Sequence, residues 1–311
     1  MKGGLFRDTL LYVPAQLIGP FAQFAVVVVW THLLAPGPFG VVAFVMASHE
    51  LTATLGHSWW TAYMLRFRRR HAGADPARFQ AMDDRMVAFA VASQVAMAPL
   101  ALAAVGAAPS PGLVAASAAY LVARSLVAHY SDRARADRRI GAYSLVQIVG
   151  PALGAALSLV ALMRVEASAT AALAAMALGQ CVGVALLFAA LRFAPGRGRY
   201  DSAILHEAFR FGWPLMATGA FLWAAAQGVR LVVGAFDGAD AVGLFSAGWG
   251  LGLRIAAVIA MLCTAAAFPL AVDRIESGDR AGALRQVALN GTLMAALLAP
   301  AAAGAALLSK P

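Results

Sequence analysis

Uncharged apolar runs of about 18 to 25 residues recur along this chain, and each is long enough to cross the ~30 Å hydrocarbon core of a bilayer at 1.5 Å rise per residue. In lipid every backbone polar group must be satisfied internally, so such runs can only be helices. A membrane barrel would instead show alternating strands of about ten residues, and none is present. Only 13% of the 311 residues are charged while 61% are hydrophobic, and the mean hydropathy is +0.75. The pattern predicts an all-α polytopic membrane protein with about nine transmembrane helices, near 9–34, 38–65, 86–105, 113–131, 141–163, 168–191, 209–236, 241–272 and 287–308. The first follows Lys2 and Arg7 and is too long for a signal-peptide core, so it reads as a retained helix.

The basic residues set the orientation. Nineteen of the 24 Lys and Arg lie at the N-terminus or in every second loop: Lys2 and Arg7, then clusters between Arg66 and Arg85, Arg133 and Arg139, Arg192 and Arg210, and Arg274 and Arg285. The intervening loops are Gly/Pro-rich, as at Pro36-Gly37-Pro38, or acidic, as at Asp237 and Asp240. Positive residues stay inside, which places the N-terminus and the arginine-rich loops in the cytoplasm. The net charge of +9 is therefore a topology signal that also suits anionic lipid heads, and nucleic acid is excluded as a partner.

Arg192 to His206 is polar and carries Pro195-Gly196-Arg197-Gly198-Arg199, the composition of a connector. It divides the chain into an N-terminal six-helix lobe (1–193), a cytoplasmic linker (194–208) and a partial C-terminal lobe of three helices (209–311). A weak repeat supports the division: the turn around Gly40 between the first two helices matches the turn around Gly243 between the seventh and eighth. Two parallel repeats about a central cavity form a transporter architecture.

Little else carries chemistry. No phosphate-binding glycine loop or nucleophile elbow is present, so no catalytic residue is assigned and the chain does not read as an enzyme. His49, His57 and His129 do not form a ligand triad, and no metal or cofactor is implied. Asp132 and Asp137 read as part of a solvated loop, and Cys181 and Cys263 as small buried packing residues. Trp30, Trp59, Trp60 and Tyr63 lie near span ends and read as interfacial anchors, with sugar stacking as the alternative. Charges within spans are costly, about 2.5–3.5 kcal/mol each at the centre on insertion scales. They single out Glu50, Arg124, Arg230 and Arg254 as cavity residues. Glu50 and Arg254 lie 10 and 11 residues after the repeat glycines, at matching depth near mid-bilayer, where they would face each other. Arginine suits a phosphate ligand because its planar fork donates two hydrogen bonds.

Several segments resemble a known family. Helix 1 ends in His32-Leu33-Leu34-Ala35-Pro36 and runs into Phe39-Gly40-Val41-Val42-Ala43. Further along come Phe209-Arg210-Phe211-Gly212-Trp213-Pro214-Leu215, Arg230-Leu231-Val232-Val233-Gly234 and Ala241-Val242-Gly243-Leu244-Phe245. Phe268-Pro269-Leu270 and Ser277-Gly278-Asp279 complete the set. Together they are similar to polysaccharide and O-antigen flippases of the multidrug/oligosaccharidyl-lipid/polysaccharide exporter superfamily. Val229 stands where that family usually has an acid. Its members have twelve or fourteen helices, so the resemblance implies that this nine-helix chain is truncated.

The resemblance implies a bacterial inner-membrane flippase that moves an undecaprenyl-pyrophosphate-linked oligosaccharide outward by alternating access, for O-antigen, lipopolysaccharide or exopolysaccharide synthesis. Its partners would be that lipid-linked oligosaccharide, membrane lipids and a coupling ion or proton. The alternatives are a cation- or proton-coupled exporter of small amphiphiles and, from another class, a membrane-embedded glycosyl- or acyl-transferase.

Overall fold

A computed structural model describes residues 25–191 and 200–308. The described residues are helical with short connections: α1 (25–33), α2 (Pro36–Gly56), α3 (Ser58–Ala74), α4 (Pro76–Ala104), α5 (Pro111–Ala136), α6 (Ile140–Arg164), α7 (Ala169–Leu191), α8 (Ser202–Glu276) and α9 (Arg280–Leu308). Seven of them are long and apolar enough to cross a membrane by length and composition. The chain is an all-α polytopic membrane protein.

Three boundaries differ from the sequence reading, each for a local reason. The span expected over 38–65 is interrupted at His57, whose backbone leaves the helical region (φ −134°) between α2 and α3. The expected loop 66–85 is helix almost throughout. Arginine is a good helix former, so α3 continues beyond its apolar part to Ala74. Asp75 then caps α4 by accepting a hydrogen bond from the Arg78 backbone N–H at 3.0 Å, with Pro76 following at the first helical position, where its missing N–H costs nothing. The expected seventh and eighth spans lie in the single run α8, broken at Gly238 (φ 75°, ψ −169°), a conformation open essentially to glycine alone. Of the expected linker 194–208, residues 194–199 lie outside the described residues, and α8 begins at Ser202.

The chain divides into two compact units, Met1–Ser246 and Ala247–Pro311. In the first, α6 and α7 pack through glycine. A Cβ on Gly179 would collide with the Gly154 backbone, and one on Gly183 would lie 3.2 Å from Gly150 Cα. Each helix thus presents a Gly-x-x-x-Gly ridge that lets the backbones meet. A second cluster joins Trp59, Trp60, Tyr63, Phe79 and Met82 to Ile204 and Ala208 at the start of α8.

The aromatic residues correct the sequence reading. Trp30, Trp60 and Tyr63 are 1%, 0% and 0% exposed, so they are core side chains and not interfacial anchors. Burial obliges their polar handles to find partners: Trp30 Nε1 donates to Ser158 Oγ at 3.2 Å and Trp60 Nε1 to Asp83 Oδ1 at 2.8 Å. Cys181 is exposed on the apolar helix α7 and not packed inside.

Candidate functional site

The stretch from α2 into the start of α3 and the part of α8 before Gly238 run antiparallel along their length. At one end Gly212 abuts the Trp59 backbone; midway Gly219 faces the Thr54 methyl; further on Gly234 faces the Phe44 ring. At the other end the two repeat turns meet. A Cβ on Gly40 would collide with the Ala239 carbonyl, and one on Gly243 with the Pro36 carbonyl. Gly40 and Gly243 therefore mark the place where the two turns touch backbone to backbone.

Between these helices and α4 lies a cavity of about 170 Å³ lined by Phe44, Leu51, Met97, Leu100, Trp223 and Arg230, among others. Its walls are mainly apolar. Trp223 bridges them, donating from Nε1 to the Ala47 carbonyl at 3.1 Å. Arg230 is only 8% exposed, and its Nε donates to Ser246 Oγ at 2.9 Å. Seven residues separate it from Asp237, about 10 Å along the helix. Glu50 accepts from Gln227 Nε2 at 3.1 Å, one helical turn from Arg230 on the same face of α8.

The expected site residues are therefore only partly gathered. Glu50 and Arg230 share the α2–α8 seam. Arg124 lies on α5, within electrostatic reach of His49 and Tyr120, and Glu50 also acts on Tyr120. The Arg254 side chain lies outside the described residues, and the facing of Glu50 and Arg254 with it.

A second polar cluster at the arginine-rich end was not read from sequence. Asp83 on α4 is fully buried. Besides Trp60, it faces His129 Nε2 at 3.4 Å, Arg133 at 3.6 Å and Arg68 at 3.8 Å. Arg68 Nε also donates to Asp137 Oδ1 at 2.7 Å, and His57 Nε2 lies 2.9 Å from His129 Nδ1. Two carboxylates thus balance two guanidiniums across α3, α4 and the end of α5. Asp137 belongs to this knot, and Asp132 pairs with Arg135 at 3.0 Å, so the stretch read as a solvated loop is a partly buried helix end. Nearby, the His71 ring stacks on Phe79 (centroids 4.7 Å apart) and pairs with the Tyr63 hydroxyl at 2.8 Å. Desolvation holds its pKa below the ordinary histidine value, against the opposing charge of Glu207. Among the described residues no group of three His, Cys, Asp or Glu could hold a metal ion.

The family described as polysaccharide biosynthesis protein matches residues 5–273. The chain belongs to that family. No curated protein and no solved structure matches it. The part of the chain matched to the polysaccharide biosynthesis family contains Glu50, Arg124, Arg230 and Arg254, and it agrees with the resemblance carried by the α8 segments. The Asp83 knot had one available signal: an acid two residues before Arg85, at the start of an apolar run. The partners of Asp83 are 15 to 50 residues away in sequence, and no helical spacing announces them.

Proposed function

We propose that this chain is a flippase that carries an undecaprenyl-pyrophosphate-linked oligosaccharide from the inner to the outer leaflet of a bacterial plasma membrane, without enzymatic chemistry. The observation that carries the reading is Arg230, a buried guanidinium in the wall of a membrane-depth cavity whose other walls are mainly hydrocarbon. That pairing of one fixed positive fork with apolar surface suits a ligand with an anionic pyrophosphate on an isoprenoid chain. Arg254 and Arg124 would offer further stations for the phosphates at other depths, with Glu50 competing for them, so that the headgroup is passed on and not trapped.

The test is transfer of a lipid-linked oligosaccharide across proteoliposomes. Arg230→Ala is expected to slow flipping about 10- to 100-fold, the worth of a hydrogen bond to a charged group, and Arg230→Lys to restore part of it. Arg254→Ala is expected to fail likewise. Full activity in a Glu50→Arg, Arg254→Glu exchange would reduce that pair to a structural lock and remove it from the substrate path. Normal flipping by Arg230→Ala would overturn the assignment of the cavity.

A further inference from the structure

Four helices of the first unit send polar side chains into its interior. His49 on α2, Gln94 on α4, Ser117 on α5 and Gln180 on α7 are 6%, 1%, 0% and 3% exposed. Each keeps one buried atom without a hydrogen-bond partner: His49 Nδ1, Gln94 Oε1, Ser117 Oγ and Gln180 Oε1. The four belong together. Gln94 is in side-chain contact with His49, and Gln180 with Tyr120, while Arg124 acts electrostatically on both His49 and Tyr120. Ser117, Tyr120 and Arg124 recur at i, i+3 and i+7, which puts them on one face of α5.

Buried polar atoms in native proteins are almost always satisfied by protein or by ordered water, and at hydrocarbon depth the penalty for leaving them bare is greatest. Four orphans converging on one region of one unit are a built site. We propose that they enclose an internal pocket of ordered water molecules that bridge α2, α4, α5 and α7 and hydrate Arg124.

The chemistry of the pocket selects water over an ion. Three of the four orphan atoms are oxygens, and two of those are amide acceptors, so the occupant must donate hydrogen bonds. A metal or ammonium cation would meet the positive charge of Arg124, which acts on both His49 and Tyr120. A neutral molecule that both donates and accepts satisfies every orphan, since one buried water makes about three hydrogen bonds. Arg124 needs such a partner. It stands seven residues before Ser131, the inner end of the apolar span, about 10 Å along the helix. Internal water supplies hydration to it from within the unit. This inference stands apart from the flippase reading and does not depend on any substrate.

Hydroxyl-radical footprinting by X-ray radiolysis, on the full chain in lipid nanodiscs, tests it directly, because radicals formed from bound water oxidise the side chains beside them. Tyr120 and His49 are expected to be oxidised about an order of magnitude faster than Met176, which is equally buried (4%) but packed against the glycine ridge of α6 and, as a thioether, readily oxidised wherever water is present. Tyr120 and His49 as protected as Met176 would show a dry core and overturn the proposal. A second measurement uses Gln94→Leu and Gln180→Leu. In a hydrated pocket each strands water and the remaining polar atoms, and the Tm falls. In a dry pocket each deletes an orphan and the Tm rises, which would equally overturn it.

Discussion

Asp83 shows what a single carboxylate can carry in this molecule. It is fully buried and faces two guanidiniums and an imidazole while Trp60 donates to it. Removing one partner of a buried charge set leaves the others uncompensated, and the cost is about 3–5 kcal/mol. Asp83→Ala is therefore expected to destabilise the purified protein by about that amount in thermal or denaturant unfolding. Asp84 is the internal control: Gln80 donates to it at 2.6 Å in a partly buried i, i+4 pair, and Asp84→Ala is expected to cost under about 1 kcal/mol. Equal losses at the two positions would mean that the knot contributes nothing beyond helix-surface polarity. Arg230 is held differently, its Nε donating to the Ser246 hydroxyl at 2.9 Å.

At the scale of the helices, glycine decides which surfaces touch. The α6–α7 seam closes because Gly150, Gly154, Gly179 and Gly183 offer no side chain, and dispersion between close backbones replaces the hydrophobic drive that lipid abolishes. Gly179→Val is expected to lower stability by at least about 1–3 kcal/mol, whereas Gly141→Val is expected to change it little, because nothing lies within 4 Å of a Cβ there; unfolding midpoints in detergent compare the two. The same scale shows what could be read from the chain and what could not. Span positions α4 to α7 follow directly from runs of uncharged residues, since membrane thickness imposes their length. The turns at Gly40 and Gly243 read as similar in sequence, but their contact could not be read, because sequence similarity carries no information about which segments face each other. The arginine-rich segment 66–85 read as loop because charge was taken for exposure. A helix, however, can extend beyond the bilayer and bury its charges against each other, as Arg68 and Asp83 do. Tryptophans near span ends fit an interfacial belt equally well, and only burial distinguishes Trp60 as the donor to Asp83.

For the whole molecule, the strongest remaining consequence of the sequence is its orientation. Within the first unit the helices return the chain to two ends alternately. One end gathers Arg66 to Arg70 and Arg133 to Arg139; the other holds the turns at Pro36, at 105–110 and at Gly238. Each arginine drawn through the hydrocarbon centre costs about 2.5–3.5 kcal/mol on insertion scales, and short loops rich in Lys and Arg stay in the cytoplasm. An inverted molecule would have to translocate 19 of its 24 basic residues. Reporter fusions at Arg135 and Gly278 are therefore expected to read cytoplasmic, and fusions at Gly37 and Ser110 external. The contact between Gly40 and Gly243 makes the second pair informative about the repeat as well. Both turns must lie on one side of the membrane to touch, so a fusion at Gly238 must read the same side as one at Gly37. Opposite sides for Gly37 and Gly238 would contradict the packing of α2 against α8, and cytoplasmic signals from both would overturn the orientation while leaving that packing intact.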